Sequence, residues 1–507
     1  MNFFGDPGRS RPPPPTIKKV TMKVPVKPSP RPQTTQSAPT RSLPVVQRRA
    51  PPTLKDEPKT IAKRLATKRK SHTPSPAMSS DDDTDGEGSA RSLTPNKRAR
   101  PDAGPVDADR IILDVRDRSR RDGGQFRFIH GADLVEGEAG KKYFNVFEEE
   151  EKPARIELQY PSDSRRERFT LVYNDVKTAK NTNADYQPLD DIRESVKFIC
   201  QHYLPAAKSD ECLNEDTGFE ARLIKAVRHG SSAEYKTVIR DFNDMITKAR
   251  KEGEVRSVLE KQHSLGDLNW VQRLLDQVYA RTVSPQVESL RVYEGFSDNV
   301  YGELKPRLIS EMFKQTELKS GQVFVDLGSG VGNVVLQAAL EVGCESWGIE
   351  MMENPCKLAD LQREEFAARA RLWGLAVGKV HLLKGDFTKN TKIMEVLKRA
   401  DVVLVNNQAF NPDLNSNLIT MFLDLKDGCK IVSLKPFKPE GLELKESNIN
   451  DIAHSLVNER KEMYWSDSVS WTDAPGNYHI VTKDLQRSAE MKRQLQQRSA
   501  RRSRRAD

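Results

Sequence analysis

The sequence of 507 residues predicts an α/β protein centred on a doubly wound, mainly parallel sheet. Three observations carry this. Five mostly apolar strand segments alternate with helical segments between 321 and 434, a glycine-rich turn follows the first strand, and the later strands end in Glu, Asp or Asn. In order, GQVFVDLG (321–328) leads to the helix NVVLQAALEVG, SWGIE (346–350) to a helix over about 355–373, and KVHLLKGD (379–386) to a short helix around 391–399. DVVLVNN (401–407) precedes a helix with Leu418, Met421, Phe422 and Leu425 on one face, and GCKIVSL (428–434) closes the series. Near-continuous apolar strands mark a parallel sheet covered on both faces, and such sheets bind ligands at their C-terminal strand ends.

Upstream the periodicity changes twice. Over about 187–290 apolar residues recur at helical spacing: Ile192, Val196, Ile199 and Tyr203; Tyr235, Val238, Ile239, Phe242, Met245 and Ile246; Trp270, Leu274 and Val278. These stripes predict a helical domain that packs on the α/β portion of the chain, with the stripes as core. Over 109–175 short alternating segments (IILDV, FRFI, YFNVF, RIELQY, RFTLVY) predict a small β-rich unit of no legible function.

Composition separates arms from body. Mean hydropathy is −0.68 and 31% of residues are charged, too polar for a chain folded throughout. The first 100 residues hold 17 of the 30 prolines and 21 Lys+Arg against 8 Asp+Glu, and residues 487–507 hold 8 against 2. With the whole chain at +9, residues 101–486 carry about −10. The expected organisation is an unstructured basic Pro-rich arm over 1–108, the β-rich unit over 109–178, the helical domain over 179–295, the α/β core over 296–486 and an unstructured basic tail over 487–507. Unbalanced basic arms suit a polyanion, above all nucleic acid. Lys63, Arg64, Lys68, Arg69 and Lys70 form one cluster of nuclear-import or nucleic-acid type; Lys97, Arg98 and Arg100 form a second, and Arg498 to Arg505 extend the set. Thr73-Pro74 and Ser75-Pro76 before an acidic run suggest a phosphorylation region. The five cysteines form no CxxC pair and no metal site is expected. With neither a membrane-length apolar run nor a signal-like start, the chain is expected to be soluble and intracellular.

The chemistry lies in Phe324-Val325-Asp326-Leu327-Gly328-Ser329-Gly330-Val331-Gly332-Asn333. Its glycines permit a tight turn and let a ligand lie against the backbone. Glu350, about 20 residues on, is placed for a ribose diol, as in a dinucleotide site. The G-x-G-x-G spacing, the carboxylate and ring of Asp386-Phe387, and the Asn406-Asn407-Gln408-Ala409-Phe410 stretch shift the balance. Together they resemble the class I S-adenosylmethionine-dependent methyltransferases.

The likeness narrows further. Phe296-Ser297, Val300-Tyr301-Gly302-Glu303, VDLGSGVGNVVLQAA, GIE, GDF, VNNxAF, IVSLKPF (431–437) and SVSWT (468–472) occur in that order over about 190 residues. This pattern resembles the disruptor-of-telomeric-silencing family, histone H3 lysine methyltransferases without a SET domain that act on a lysine in the nucleosome core. The likeness spans about 185–485 and is nearest the fungal members. It implies S-adenosylmethionine as cofactor, held by Tyr301, Gly302, Glu303 and Leu304, by Phe324 to Asn333, by Glu350 at the ribose, by Asp386 and Phe387 at the adenine, and by Asn406 at the methionine end. It implies a lysine channel walled by Phe296, Phe410, Trp471 and Tyr478. Departures are Leu304 where some relatives carry a hydroxyl, Gln408 in place of an aromatic, and His479 in place of a second tyrosine.

Methyl transfer to lysine requires the neutral amine, whereas free lysine has a pKa of about 10.4. A narrow apolar channel disfavours the ammonium by desolvation and aligns the reacting atoms. The expected partners are the nucleosome, with histone H3 as substrate and nucleosomal DNA held by the arms, and the expected compartment is the nucleus. Two readings stand beside this one. A methyltransferase of nucleic-acid amino groups would share Asn406 to Phe410 but lacks that motif's prolines, and a non-catalytic chromatin protein would have no use for intact Asp326, Gly328, Gly330 and Glu350.

Overall fold

The computed structural model describes residues 107–114, 126–148, 150–162, 165–174, 186–265, 268–291, 301–438, 445–448 and 451–506. Phe296 and the basic clusters at 63–70 and 97–100 lie outside them. After a 3-10 turn (Gly131–Val135) and a single helical turn (Gly137–Gly140) come four short strands: β1 (Tyr143–Asn145), β2 (Arg155–Leu158), β3 (Glu167–Thr170) and β4 (Val172–Asn174). They pair antiparallel as β1 with β4 and β2 with β3. Six helices come next: α1 (Pro188–Tyr203), α2 (Ala206–Cys212), α3 (Phe219–Arg228), α4 (Ser232–Lys251), α5 (Glu254–Glu260) and α6 (Leu268–Thr282). After α7 (Pro306–Thr316) the alternation runs β5 (Val323–Leu327), α8 (Asn333–Gln337), β6 (Glu345–Glu350), α9 (Glu353–Trp373), β7 (Val380–Lys384), α10 (Thr391–Leu397), β8 (Val402–Val405), α11 (Pro412–Met421) and β9 (Lys430–Ser433). Two long strands, β10 (Leu456–Tyr464) and β11 (Gly476–Lys483), and the helix α12 (Leu485–Ala506) complete the chain.

Strands β5 to β11 form one sheet in the order β10-β11-β9-β8-β5-β6-β7. Pairing is parallel from β9 through β7 and antiparallel at β9–β11 and β11–β10. Strand order reverses between β5 and β8, so their C-terminal ends part to leave a crevice. Side chains alternate across β5: Val323, Val325 and Leu327 enter one buried cluster, while Phe324 enters another with Leu404 and Tyr478.

Two expectations are corrected. The β-rich segment is not a separate unit: Ile112, Phe147, Ile156 and Phe169 share one core with α1, α4, α6 and the C-terminal half of α9. Of its five anticipated strands, FRFI is not a strand, because the Ile129 amide donates to Glu365 and its carbonyl accepts from Arg369, leaving nothing for a ladder. IILDV contributes a single bridge, Leu113 to Leu375, and Arg110 donates to the carbonyls of Leu340 and Ala376. The basic tail is helical rather than unstructured. Asp484 caps α12 by accepting the Arg487 amide at 2.8 Å, and its Arg, Gln, Ala, Leu and Met content has high helix propensity.

A buried ion network welds these parts. Glu167 of β3 accepts from Arg369 of α9 at 2.6 and 2.7 Å and from Arg281 of α6 at 2.7 Å. Asp191 of α1 accepts from Arg281 at 2.6 Å and pairs with Arg273, and Glu365 accepts from Arg369 at 2.8 Å. Three carboxylates thus face three guanidiniums. Tyr160, Tyr186 and Gln277 donate into the remaining lone pairs. Burial by itself would raise the carboxyl pKa values, yet Arg281 with Arg369 holds Glu167 below its ordinary range, and Arg281 with Arg273 does the same for Asp191.

Removing one member strands its partners in a dry interior. Arg369→Met is expected to lower unfolding stability by about 3–5 kcal/mol in urea titrations. Because the folded-state pKa values of Glu167 and Asp191 are depressed, their stabilisation is present above about pH 4 and is lost as pH falls further. Acid denaturation followed by circular dichroism should therefore begin at higher pH in Arg281→Met than in the parent chain.

Candidate active site

The crevice opens into a cavity of about 900 Å³ at the C-terminal edge of the sheet. That volume suits a nucleoside-sized ligand with room for a second group. Four strand ends supply its polar floor: Asp326 at the end of β5, Glu350 at the end of β6, Asp386 after β7 and Asn406 after β8.

The turn after β5 is held open by its backbone. Gly328, Gly330 and Gly332 have φ of +90°, +53° and +89°, conformations that side chains resist. The Gly328 and Ser329 amides donate to the Ile349 carbonyl, which fixes the loop to β6. Space excludes a side chain as well: a Cβ on Gly330 would lie 2.9 Å from the Tyr301 ring. Glu350 accepts the Gly330 amide through Oε2 at 3.0 Å and the Met351 and Met352 amides through Oε1, both at 2.7 Å. Its carboxylate is thereby immobilised with lone pairs left for a diol.

Tyr301 to Leu304 form a strap across the cavity, and the SVSWT segment staples it down. The Glu303 amide donates to Ser470 Oγ at 2.8 Å, the Ser470 amide to the Glu303 carbonyl at 2.9 Å, and the Lys305 amide to the Ser468 carbonyl at 2.9 Å. Leu304 is a buried anchor bridged to Val469. Glu303 points inward and accepts the hydroxyls of Tyr301 (2.5 Å) and Tyr279 (3.2 Å), the latter from α6. The opposite end is aromatic, with Phe387 and Phe410 6.2 Å apart between ring centroids. Asp386 lies there and accepts from Thr388, which together with Lys389 keeps its pKa below the ordinary value.

The electrostatics call for a cation. Burial, reinforced by Glu350, pushes the Asp326 carboxyl up to about 8, and burial also raises Glu303. No described lysine or arginine lines this cavity. Asn406 donates through Nδ2 to the Gly302 carbonyl at 3.3 Å, whereas its Oδ1 is buried without a partner among the described residues. Carboxyls destabilised by burial and an orphaned amide oxygen fit a ligand bearing an ammonium, a sulfonium and a diol. S-adenosylmethionine carries all three.

Of the residues expected at the cofactor, Tyr301 to Leu304, Asp326, Gly328 to Val331, Asn333, Glu350, Asp386, Phe387 and Asn406 line the cavity. Phe324, Val325, Leu327 and Gly332 support it from the strand and turn. Of the channel residues, Phe410 lines the cavity, and Trp471 packs on Gly302 at its rim, 2.6 Å from where a Cβ would stand. Tyr478 departs from expectation. Its place in β11 turns it into the apolar cluster holding Leu304, Leu434 and Val469, where it is fully buried and off the cavity wall, with burial pushing its hydroxyl up to about 12. His479, on the other face, is bonded to Glu459.

Sequence reasoning missed three contributors. Tyr279 stands outside the stripe of Trp270, Leu274 and Val278, and nothing local reports that it reaches Glu303. Asn407, beside Asn406, is a clamp: its Oδ1 accepts the Leu434 and Lys435 amides at 3.0 and 2.8 Å, tying VNNxAF to SLKPF. Gln362 of α9 holds the glycine loop through the Val331 carbonyl at 2.7 Å and Asn333 at 2.9 Å.

Gly330→Arg should abolish S-adenosylmethionine uptake in calorimetry while leaving the far-UV circular dichroism of the parent. Because a cation binds the ionised carboxyl, affinity should rise with pH up to about 8 and binding at pH 7 should release a proton. That release, measured as a dependence of binding heat on buffer ionisation enthalpy, should disappear in Asp326→Asn.

Comparison with known proteins gives a consistent picture. The family model described as histone methylation protein DOT1 matches residues 279–483, beginning at Tyr279. A relative from Aspergillus fumigatus, named histone-lysine N-methyltransferase, H3 lysine-79 specific, is 47% identical over 430 residues, covering 84% of each chain. The protein of the same name from Emericella nidulans is 44% identical over 482 residues, 93% of this chain and 94% of its own. One from Eremothecium gossypii is 33% identical over 305 residues, 59% of this chain and 51% of its own. The first two alignments extend well beyond the catalytic sheet, which places the helices and hairpins welded to it within the shared protein.

Proposed function

The chain belongs to the DOT1 family of histone methylation proteins, and from that premise we propose that its cavity serves methylation of a lysine in the core of histone H3, the residue that the relatives' names give as lysine 79. It is a histone-lysine N-methyltransferase using S-adenosylmethionine. The observation that carries the chemistry is the cation-seeking floor of the cavity: a buried Asp326 with its pKa near 8 and no described lysine or arginine on the cavity wall.

The cofactor, when bound, supplies an electrophilic methyl group on a sulfonium. The chain's own residues do the rest. Asp326 and Glu303 offer negative charge to an ammonium, Glu350 presents a fixed carboxylate to a diol, and Phe387 offers an aromatic face to a base. Asn406 faces the methionine end with its free oxygen. Trp471 and Phe410 flank the approach, where aromatic walls strip water from an incoming lysine, favour its neutral form and tolerate the methylated product through cation–π contact. The amine's proton leaves to water along the same approach. Pinning of the strap by Ser470 and Tyr279 reduces the ordering needed at the moment of reaction.

The whole nucleosome is the proposed substrate and the nucleus the proposed compartment. Basic clusters at Lys63–Lys70 and Lys97–Arg100 supply sequence-independent affinity for nucleosomal DNA, joined by Arg498 to Arg505 on α12. The phosphorylation region at Thr73 and Ser75 lies beside the first cluster in the sequence.

With labelled S-adenosylmethionine and whole nucleosomes, free histones, naked DNA or RNA, label is expected on histone H3 within nucleosomes, and on nothing when the enzyme is Gly330→Arg. Label on DNA or RNA would identify a nucleic-acid methyltransferase instead, and label nowhere a non-catalytic chromatin protein. Removal of residues 1–106 should leave cofactor affinity unchanged and lower nucleosome affinity, with a shallower salt dependence. The cut stops at 106 because Asp107 accepts the Ser320 amide at 2.7 Å and belongs to the folded body.

A further inference from the structure

One apolar surface lies outside the cavity and is unused by the chemistry above. Trp465 is 72% exposed and Met463 64%, both at the end of the β10–β11 hairpin. Tryptophan at such exposure is uncommon on a soluble surface and is the side chain most enriched at the energetic centres of protein interfaces.

Topology puts this hairpin end beside the cavity mouth. Pairing of β11 with β9 stops at His479–Ser433, while β10 and β11 run on together to Tyr464–Gly476. The hairpin therefore overhangs the sheet by roughly 10 Å at about 3.3 Å per residue, and it does so at the C-terminal edge of the parallel strands, where the cavity opens. The end is braced rather than loose. Asp467 pairs with Lys305, the Ser468 carbonyl accepts the Lys305 amide, and Trp471 in the same turn packs on Gly302 of the strap. Met463 and Trp465 thus stand on the same overhanging end that carries Trp471, within reach of a macromolecule that presents a lysine past Trp471.

Its side chains select the kind of macromolecule. Among the acidic groups of 462–475, Asp467 pairs with Lys305 and Glu462 lies 3.9 Å from Arg460, and Lys461 shares the strand face of Met463, so this end carries little net charge. A DNA backbone is held by clustered cations, which such an end does not offer, whereas a protein surface with aliphatic side chains would bury the ring. We propose that the Met463–Trp465 end of this hairpin is a docking surface for the folded histone core around the target lysine, separate from the basic segments that hold DNA. The proposal rests on the functional reading above and adds to it a division of labour: the hairpin reads protein, the arms read phosphate. It also makes the hairpin a determinant of specificity, since an unfolded peptide bearing the same lysine would lack the surface that Trp465 covers.

The test is steady-state methylation of reconstituted nucleosomes by the full chain and by Trp465→Ser and Met463→Ser. Calorimetry with S-adenosylmethionine and gel-shift with naked DNA of nucleosomal length serve as controls. The expected result for Trp465→Ser is a rise in nucleosome KM of about tenfold or more, with kcat within about twofold and cofactor and DNA affinity unchanged. Met463→Ser should show a smaller rise. An unchanged KM in both variants overturns the docking surface, and an equal loss of naked-DNA affinity reassigns it to nucleic acid and overturns it too. Failure of the parent chain to label any nucleosome is a different result, because it overturns the enzymatic reading and the docking surface with it.

Discussion

The buried exchange of charge among Glu167, Asp191, Glu365, Arg273, Arg281 and Arg369 is the constraint on which the remaining architecture depends. The network draws on distant parts of the chain: a short N-terminal strand, the first and last helices of the helical region, and the long helix behind the sheet. Charges this deep persist only when every partner is in place. The N-terminal hairpins, the helical region and the catalytic sheet therefore form one core. The same two helices carry the constraint to the site. On α9, two turns before Arg369, Gln362 holds the glycine loop by the Val331 carbonyl; on α6, between Gln277 and Arg281, Tyr279 holds Glu303 of the strap.

The site inverts the logic of that network. In the core Glu167 and Asp191 have guanidinium neighbours and their pKa values are driven down. In the cavity Asp326 is buried as completely but has another carboxylate near it, and its pKa is driven up. The carboxylates of the first arrangement are satisfied as they stand, which gives rigidity. The second is satisfied only by a ligand, so the unfavourable burial of Asp326 becomes binding affinity for a cationic one. The strap acts in the same direction, because Leu304, Ser470 and Tyr279 hold it over the cavity from three separate elements.

Legibility tracks physical range. The five parallel strands are readable because burial on both faces demands unbroken apolar runs. Strand β10 is not, since four of its consecutive residues, Asn458 to Lys461, are solvent-exposed at the sheet edge and carry mostly charge. The tail reads as unstructured by charge, yet a helix needs only propensity and a cap, and Asp484 provides the cap. FRFI reads as a strand, yet side chains more than 200 residues away take its backbone groups. Tyr478 matches a channel position by motif, but strand register turns it into the core.

By itself the sequence determined the succession of the parallel sheet's strands, the glycine turn, and the identity of Asp326, Glu350, Asp386 and Asn406 at successive strand ends. It could do so because period, chain direction and local turn chemistry are properties of short segments. The tertiary structure alone decided that Asp326 has no cation beside it among the described residues while Glu167 has two, that Tyr279 and Ser470 clamp the strap, and that Trp465 stands exposed at the hairpin end. Those outcomes depend on distances between residues far apart in the chain, and through-space electrostatics and packing are set by such distances, not by neighbours in the sequence.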